Sequence, residues 1–406
     1  MPTCAWPRKA GVTTANLYWP DSSAVYWSTV YPVRDDLTIT VTGVFPNARY
    51  MSFNVYDENT AEFSFNEVTS SLPDYKIKPD RGSVNPWRFP GEPGGRFTIT
   101  IRPDAEPGQT NTLPLAPPGA QIGAKASLIY RVYLPAGGDS AVELPTITLH
   151  YGGESVTLPR CTSNSPGSGS GGPGRPGAGQ STDQSQHPSG GSGVPSAPET
   201  SALPQPAGEK VFARTSEVSF LAPNADNGYL GAWITPPAPG EVVVIRGRAP
   251  RAITGNHPTP WPRLLTDVRY WSMCTNLGGV QKPVVVNRLA DGRVHYGCRY
   301  NDETKVDLTG HYTFVLGTED QRAAIEAMDK VTFLPFSVNQ PTAPHMVLLR
   351  HLLPTPTFPY AIQQVPIDST PQEAAAIMGA YYPLVSVCSL ESLTVRGPAR
   401  CKRERD

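Results

Sequence analysis

Charge is scarce in this sequence and nearly balanced. Charged residues make up 17% of the 406, with 34 Lys and Arg against 35 Asp and Glu. A protein that grips nucleic acid through its phosphates carries a basic excess or a basic stripe. Here the only basic cluster, Arg400-Cys401-Lys402-Arg403, sits in a charged C-terminal tail. Nucleic acid is therefore not an expected partner. Long apolar runs are also missing: none reaches the roughly 18 residues of a membrane helix, so no transmembrane segment is expected. Met1 to Pro7 lack the apolar core of a signal peptide. There is no CxxC, GxSxG, HExxH or Walker-type loop, so the usual zinc, redox, hydrolase and nucleotide signatures are absent. Sustained helical periodicity is absent as well.

What the chain has in abundance is proline, at 45 residues, together with Thr, Val and Tyr. That mixture disfavours helices and suits short strands joined by rigid turns. The chain also repeats itself. Thr38 to Pro46 and then Ala48 to Ser52 return as Val242 to Pro250 and Val268 to Ser272. Gly95 to Ile99 is echoed by Gly310 to Phe314, Thr112-Leu113-Pro114 by Phe333-Leu334-Pro335, and Ile129 to Pro135 by Leu348 to Pro354. The matches keep their order, which marks a duplicated domain.

Between the copies lies a stretch of Gly, Ser, Pro, Gln and Ala without one aromatic. Such a composition cannot bury enough apolar area to offset its ordering entropy. The expected organisation is a first β-sandwich over residues 1–161, a disordered linker over 162–208, and a second β-sandwich with an insertion loop over 209–406. A linker of this kind lets the two modules move independently and bind by avidity.

Within the first copy, Leu37 to Thr42 and Phe97 to Ile101 alternate with period two, placing Leu37, Ile39, Val41, Phe97, Ile99 and Ile101 on a core face. The fold class expected is all-β: two tandem antiparallel jelly-roll-like sandwiches. The second copy adds short helices. Thr370-Pro371-Gln372-Glu373 reads as a capping box opening a helix through Ala380, and Glu319 to Lys330 as another.

Six cysteines, with none in a CxxC pair, argue for disulfides over metal or redox chemistry. Pairing in chain order is expected: Cys4 with Cys161, Cys274 with Cys298, Cys388 with Cys401. Paired thiols imply a secreted or cell-surface chain whose leader has been removed.

Candidate functional residues fall into three groups. Arg49, Arg269, Arg131 and Arg350 interrupt apolar strands in both copies. Each can clamp a carboxylate or phosphate bidentately, or pair with a local acid. Trp87 and Trp261 sit beside prolines in loops, displayed to stack on a sugar or polymer, or latched onto their own sandwich. His345 and His351 share one strand face, with His311 on a neighbouring strand; they are the weak catalytic candidates and could seat a metal. Gly138-Asp139-Ser140 reads as a turn, and loop carboxylates such as Asp74, Asp80, Asp302 and Asp307 are not spaced for acid–base work. No cofactor and no resident metal are expected.

Three strings, Ala48 to Asp57, Leu113 to Gly119 and Tyr130 to Pro135, resemble a bacterial domain of unknown function with a strand ending in Tyr-Asp, a Leu-Pro-x-Pro turn and an Arg-x-Tyr-x-Pro strand. Leu72 to Pro86 is similar to a variant in secreted actinobacterial proteins. The resemblance covers most of the first copy and, more loosely, the second. It implies an exported jelly-roll module, here duplicated, and brings no catalytic residues with it.

The function expected is a secreted or cell-surface binding protein whose partner is an extracellular glycan, an envelope polymer or a protein, with self-association open. The alternatives are an extracellular, metal-assisted hydrolase with its site in the second domain, and a structural or assembly component.

Overall fold

The computed structural model describes residues 1–57, 64–65, 68–106, 108–117, 119–162, 210–216, 224–279, 281–398 and 401–403. Apart from Thr162, the expected linker lies outside the described residues.

The first half contributes β1 (Arg8–Gly11), β2 (Ala24–Pro32), β3 (Thr38–Val44), β4 (Ala48–Tyr56), β5 (Ser64–Phe65), β6 (Val68–Thr69), β7 (Ser71–Pro73), β8 (Arg96–Arg102), β9 (Thr112–Pro114), β10 (Lys125–Pro135), β11 (Thr146–Tyr151) and β12 (Glu154–Thr157). The second contributes β13 (Asn227–Ile234), β14 (Glu241–Arg248), β15 (Val268–Leu277), β16 (Val286–Arg288), β17 (Val294–Tyr296), β18 (Cys298–Tyr300), β19 (His311–Gly317), β20 (Thr332–Pro335), β21 (His345–Pro354), β22 (Leu384–Ser389) and β23 (Lys402–Arg403).

The strand orders match. The inner sheets run β1-β2-β10-β4-β7 and β13-β21-β15-β18, and the outer sheets β12-β11-β3-β8-β9 and β23-β22-β14-β19-β20. Even an exception to antiparallel pairing is shared, because β8 with β9 and β19 with β20 run parallel. A parallel neighbour needs a crossover rather than a hairpin, and residues 318–331 between β19 and β20 supply one.

Each half has its own core between its two sheets. The alternating residues expected inward, from Leu37 to Val41 and from Phe97 to Ile101, are fully buried. The copies differ at the back of the outer sheet. In β3 and β8 that face carries half-buried threonines. In β14 it carries Val242 and Val244, which pack with Ile325 and Leu393 beneath α1 (Arg322–Glu326) and α3 (Leu390–Arg396). A strand covered on both faces reads as a continuous apolar run, which is why Val242-Val243-Val244-Ile245 replaces the alternating Thr-Ile-Thr-Val. Helix α2 (Pro371–Met378) has the anticipated capping box, with Thr370 Oγ1 accepting from the Glu373 amide and Glu373 accepting from the Thr370 amide. It ends at Gly379, where φ is positive. The other expected helix shrinks to α1, and α3 was not anticipated.

Three disulfides join Cys4–Cys161, Cys274–Cys298 and Cys388–Cys401. The first closes the first sandwich, the second ties β15 to β18, and the third fastens the C-terminal segment to β22. No helix among the described residues is long and apolar enough to cross a membrane.

The two halves are not independent. Their inner sheets pack face to face, so that every residue of β4 and of β15 is buried. An apolar cluster spans the seam, joining Ala24, Tyr50, Tyr133 and Leu134 to Ile253, Trp261, Tyr270, Leu352 and Leu353. The polar contacts across it are reciprocal. Arg49 reaches Asp302 at 2.6 Å, and its repeat partner Arg269 reaches Asp74 at 2.5 Å. Tyr50 donates to Asp226 at 2.6 Å, and Tyr270 donates to Asp21 at 2.8 Å. This is the geometry of an isologous dimer held within one chain. It replaces the expectation of modules moving freely on a tether, because separating the halves would expose these charges and rings together.

Two outcomes follow from the seam. A single protease cut within residues 163–209 should leave both halves eluting as one particle in size-exclusion chromatography; separate elution of two fragments would contradict the packing. Arg269→Met should cost about 3–5 kcal/mol in urea unfolding by stranding Asp74. Adding Asp74→Asn should recover much of that loss, and additivity of the two substitutions would argue against the pair.

Candidate functional site

The residues expected to face a partner mostly face the other half. Asn85 braces the first loop by donating to the carbonyls of Asp74 and Ile77 and accepting from the Trp87 amide. Trp87 is thereby fully buried, edge-on to Phe45, with its indole N–H donating to the Arg49 carbonyl at 3.1 Å. Its own carbonyl accepts from the amide of Trp261 at 2.8 Å. Trp261 is also buried and lies 5.2 Å from the Arg269 guanidinium. Neither indole is displayed. The Trp87 loop is latched onto its own sandwich, where the indole joins the first core, and the Trp261 loop docks in the seam between the sandwiches.

Arg49 and Arg269 are likewise committed. Arg49 donates to Gly255 O, Asn301 Oδ1 and Asp302 Oδ2. Arg269 has one carboxylate partner; its Nε and Nη2 find no acceptor among the described residues. Ring faces of Tyr50, Tyr75 and Trp261, at 6.0, 5.6 and 5.2 Å, surround this guanidinium and contribute cation–π attraction instead. Asp74 accepts from Arg269 and from the amides of Met51 and Tyr75, yet burial still pushes its carboxyl up to about 6. Asp74 and Asp302 read as ordinary loop acids in the sequence. The signal overlooked was that both follow an inner-sheet strand, β7 and β18, at equivalent places in the repeat.

Arg131 and Arg350 have a different setting. They occupy equivalent positions on β10 and β21, each opposite a tyrosine: Arg131 faces Tyr26 of β2, and Arg350 faces Tyr229 of β13. The guanidinium–ring distances are 5.3 and 5.9 Å. Alternation turns Tyr130, Val132 and Leu349 into the cores and leaves Ile129, Arg131, Tyr133, Leu348 and Arg350 on the seam side. There the halves do not close completely. A cavity of about 180 Å³ remains, walled by those residues with Tyr26, Ser28 and Tyr229. The segment before β2 forms its rim, where Leu17 and Tyr18 are 37% and 47% exposed while Trp19 beside them is buried.

The lining of this cavity holds two guanidinium groups and no carboxylate among the described residues. Arg131 donates to Asn54 Oδ1 at 3.2 Å and to the Tyr56 hydroxyl at 3.1 Å. Arg350 donates to Cys274 Sγ at 2.9 Å and to the Trp19 carbonyl at 2.5 Å. Burial opposes the charge on Arg350, but Asp21 and the tyrosines around it outweigh that effect and keep it protonated. Burial raises Tyr26 and Tyr133 above the ordinary phenol range, so both hydroxyls stay neutral hydrogen-bonding groups at neutral pH. The arrangement can bind and orient an anion or a polar ring. Sequence reasoning singled out the two arginines but missed Tyr26, Tyr229 and the Leu17–Trp19 rim. The paired tyrosines were visible as a repeat of Arg-opposite-Tyr only once strand register was known.

The three histidines do not converge. His345 and His351 share a strand face, but six residues of extended chain separate them by about 20 Å. His345 accepts from the Ser337 amide at 2.9 Å and donates to the Ala343 carbonyl at 2.8 Å. His351 sits near Phe358 and accepts from the Ile362 amide at 3.4 Å. His311 lies on β19 in the outer sheet, beside Thr309 and Asp307. Asp139 of the Gly-Asp-Ser turn pairs with Lys9. Among the described residues, the grouping tight enough to hold an ion is Asp21 with Cys274 and Cys298, and a disulfide occupies both sulfurs.

No model of a protein family matches this chain, and no curated protein matches it. Among solved structures it is similar to an uncharacterized protein from Burkholderia cenocepacia, at 11% identity and a TM-score of 0.47, over 94% of this chain and 85% of that one. It is also similar to the VPA0106 protein from Vibrio parahaemolyticus, at 11% identity and a TM-score of 0.41, over 91% and 89% of the two chains.

The buried imidazoles set a pH dependence. Burial pushes His345 from 6.5 down to about 4 and His351 from 6.5 down to about 3. The unfolded chain therefore takes up these protons first, and stability present above pH 6.5 is lost as pH falls towards 4. Asp74, Asp226 and Glu303 work the other way, because burial raises each carboxyl, and Asp74 gains stability as pH falls through about 6; the shifts of the two imidazoles are larger than that of Asp74. Tm should drop between pH 6.5 and pH 4, and His345→Gln should flatten part of that drop. A wild-type Tm that held constant or rose over this range would contradict the burial argument.

Proposed function

We propose that this protein is an exported, disulfide-stabilised binding protein that recognises an extracellular glycan or envelope polymer at the cavity between its two sandwiches. One observation carries the reading: the reciprocal seam leaves a preformed, ring-walled cavity containing Arg131 and Arg350, with Leu17 and Tyr18 open to solvent at its rim. Sites of this kind, largely apolar with a few convergent polar groups and placed between domains, are where ligands bind. A rigid scaffold holds both guanidinium groups before the ligand arrives, so little ordering cost remains to be met on binding. The three disulfides fit an oxidising compartment.

This reading moves recognition from the loop indoles to the seam. It also replaces avidity through a tether with a single site to which both copies contribute. The histidine-centred hydrolase loses its geometric basis, because those rings stand in separate surroundings.

Co-sedimentation with insoluble envelope polysaccharides tests the proposal. Wild type and Phe89→Ala should pellet alike, because Phe89 is 63% exposed and does not line the cavity. Tyr18→Ala should weaken retention by about fivefold or more. If Tyr18→Ala pellets like wild type, or wild type stays in the supernatant with every polymer, the reading fails.

A further inference from the structure

We infer that two joined loop tips at the seam form a docking surface for an anionic lipid bilayer, with Phe89, Leu264 and Leu265 entering the membrane and Arg88 and Arg263 meeting its headgroups. None of these residues lines the cavity, so this surface goes beyond the binding reading above.

Exposure is the first argument. Single exposed apolar side chains are ordinary on a protein surface, whereas a cluster of them marks a contact. Among the described residues, three of the five most exposed large apolar side chains are Leu264 at 86%, Leu265 at 72% and Phe89 at 63%. They come from opposite halves, yet their loops are joined, because the Trp261 amide donates to the Trp87 carbonyl at 2.8 Å. The two buried indoles anchor the loops. The amides of Arg88 and Phe89 both donate to the Asn85 carbonyl, which closes the first tip as a tight turn.

The backbone is the second. The Thr266 amide donates to the Arg263 carbonyl at 3.4 Å, so Leu264 and Leu265 are the corner residues of the other turn. Leu265 has a φ of 63°. A turn with positive φ at its second corner normally takes Gly or Asn there. Leucine at that corner carries backbone strain, and its exposure shows that little packing within this chain offsets it. The gain from having leucine there lies outside the fold.

Charge is the third, and it selects the partner. From Ser83 to Gly91 and from Asn256 to Thr266 the chain carries Arg88 and Arg263 and no carboxylate. Both arginines are exposed, and among the described residues neither forms an ion pair. Of the acids flanking these stretches, Asp267 is held by Arg251, and Glu92 stands just beyond the first tip. Arginine stems reach far enough for the guanidinium to stay with phosphates while apolar neighbours sit at the acyl boundary. The negative surface potential of an anionic bilayer attracts each exposed cation, which a zwitterionic surface does not. A second copy of this chain fits less well. A stable protein interface takes roughly 20–30 residues a side, and two turn tips supply far fewer.

Flotation of the full chain with vesicles of phosphatidylglycerol and phosphatidylcholine in equal parts, against phosphatidylcholine alone, tests the assignment. Binding to the anionic vesicles should be at least about fivefold tighter. Leu265→Gly should weaken it by about fivefold or more while Tm holds or rises, because glycine loses the apolar contact and relieves the left-handed strain. Replacing both arginines, Arg88→Gln with Arg263→Gln, should reduce the preference for anionic vesicles to about twofold or less. Tyr18→Ala at the cavity rim should float like wild type, and Leu265→Gly should retain polysaccharide like wild type, so the two readings fail separately. A chain that floats with neither vesicle, or equally with both, overturns the inference, as does Leu265→Gly floating like wild type. Light scattering that shows a wild-type dimer and a Leu265→Gly monomer would assign the tips to a second copy and overturn it too.

Discussion

Two arginines buried against the carboxylates of the opposite half hold this molecule in its arrangement. Arg49 with Asp302 and Arg269 with Asp74 are placed reciprocally, and Tyr50 with Asp226 and Tyr270 with Asp21 repeat the pattern. A buried ion pair adds little net stability when compared with apolar packing, because desolvation offsets most of the attraction. What it does supply is intolerance of alternatives. Sliding one sandwich along the other, or pulling it away, leaves several charges unpaired in a low-dielectric seam. Four such contacts related by pseudo-twofold symmetry fix the two halves in one register.

The consequences reach the candidate site. Because the seam is fixed, the cavity beside it has defined walls, and because the seam is pseudo-symmetric, those walls present matching Arg–Tyr pairs. Departures from symmetry then give the cavity its particular character. Arg131 is held by Asn54 and Tyr56, whereas Arg350 rests on the Cys274–Cys298 disulfide and the Trp19 carbonyl. The segment carrying Leu17 to Trp19 leans across from the first half and hydrogen-bonds to Gln281 and Lys282 of the second. One copy therefore provides the rim for both.

Much of the fold was legible in the sequence because its signals are local. Alternation placed Ile39, Val41, Ile99 and Ile101 in a core, the Thr370–Glu373 box opened a helix, and the ordered repeats implied two modules with equivalent strands. Cysteines near module edges paired in chain order. The candidate site was legible only in part. Arg131 and Arg350 stood out because each interrupts an apolar strand, but nothing local separated them from Arg49 and Arg269, which look the same and serve the seam. Trp87 and Trp261 misled for a related reason. Proline beside an aromatic fixes a loop's stiffness and says nothing about what that loop rests on.

Strand, turn, core face and the duplication itself are properties of short segments, and the sequence determined them. Only the tertiary structure decided that the second face of the inner sheets is interior. Tyr50, Ser52, Asn54 and Tyr56, like Tyr270 and Ser272, alternate with apolar residues just as a water-facing row would. Their hydroxyls and amides bond equally well to water or to the other half. The choice between those partners depends on groups more than 150 residues away in the chain, such as Asp226 for Tyr50 and Asp21 for Tyr270. No local pattern encodes that distance, so the seam and the cavity within it emerge only when the halves meet.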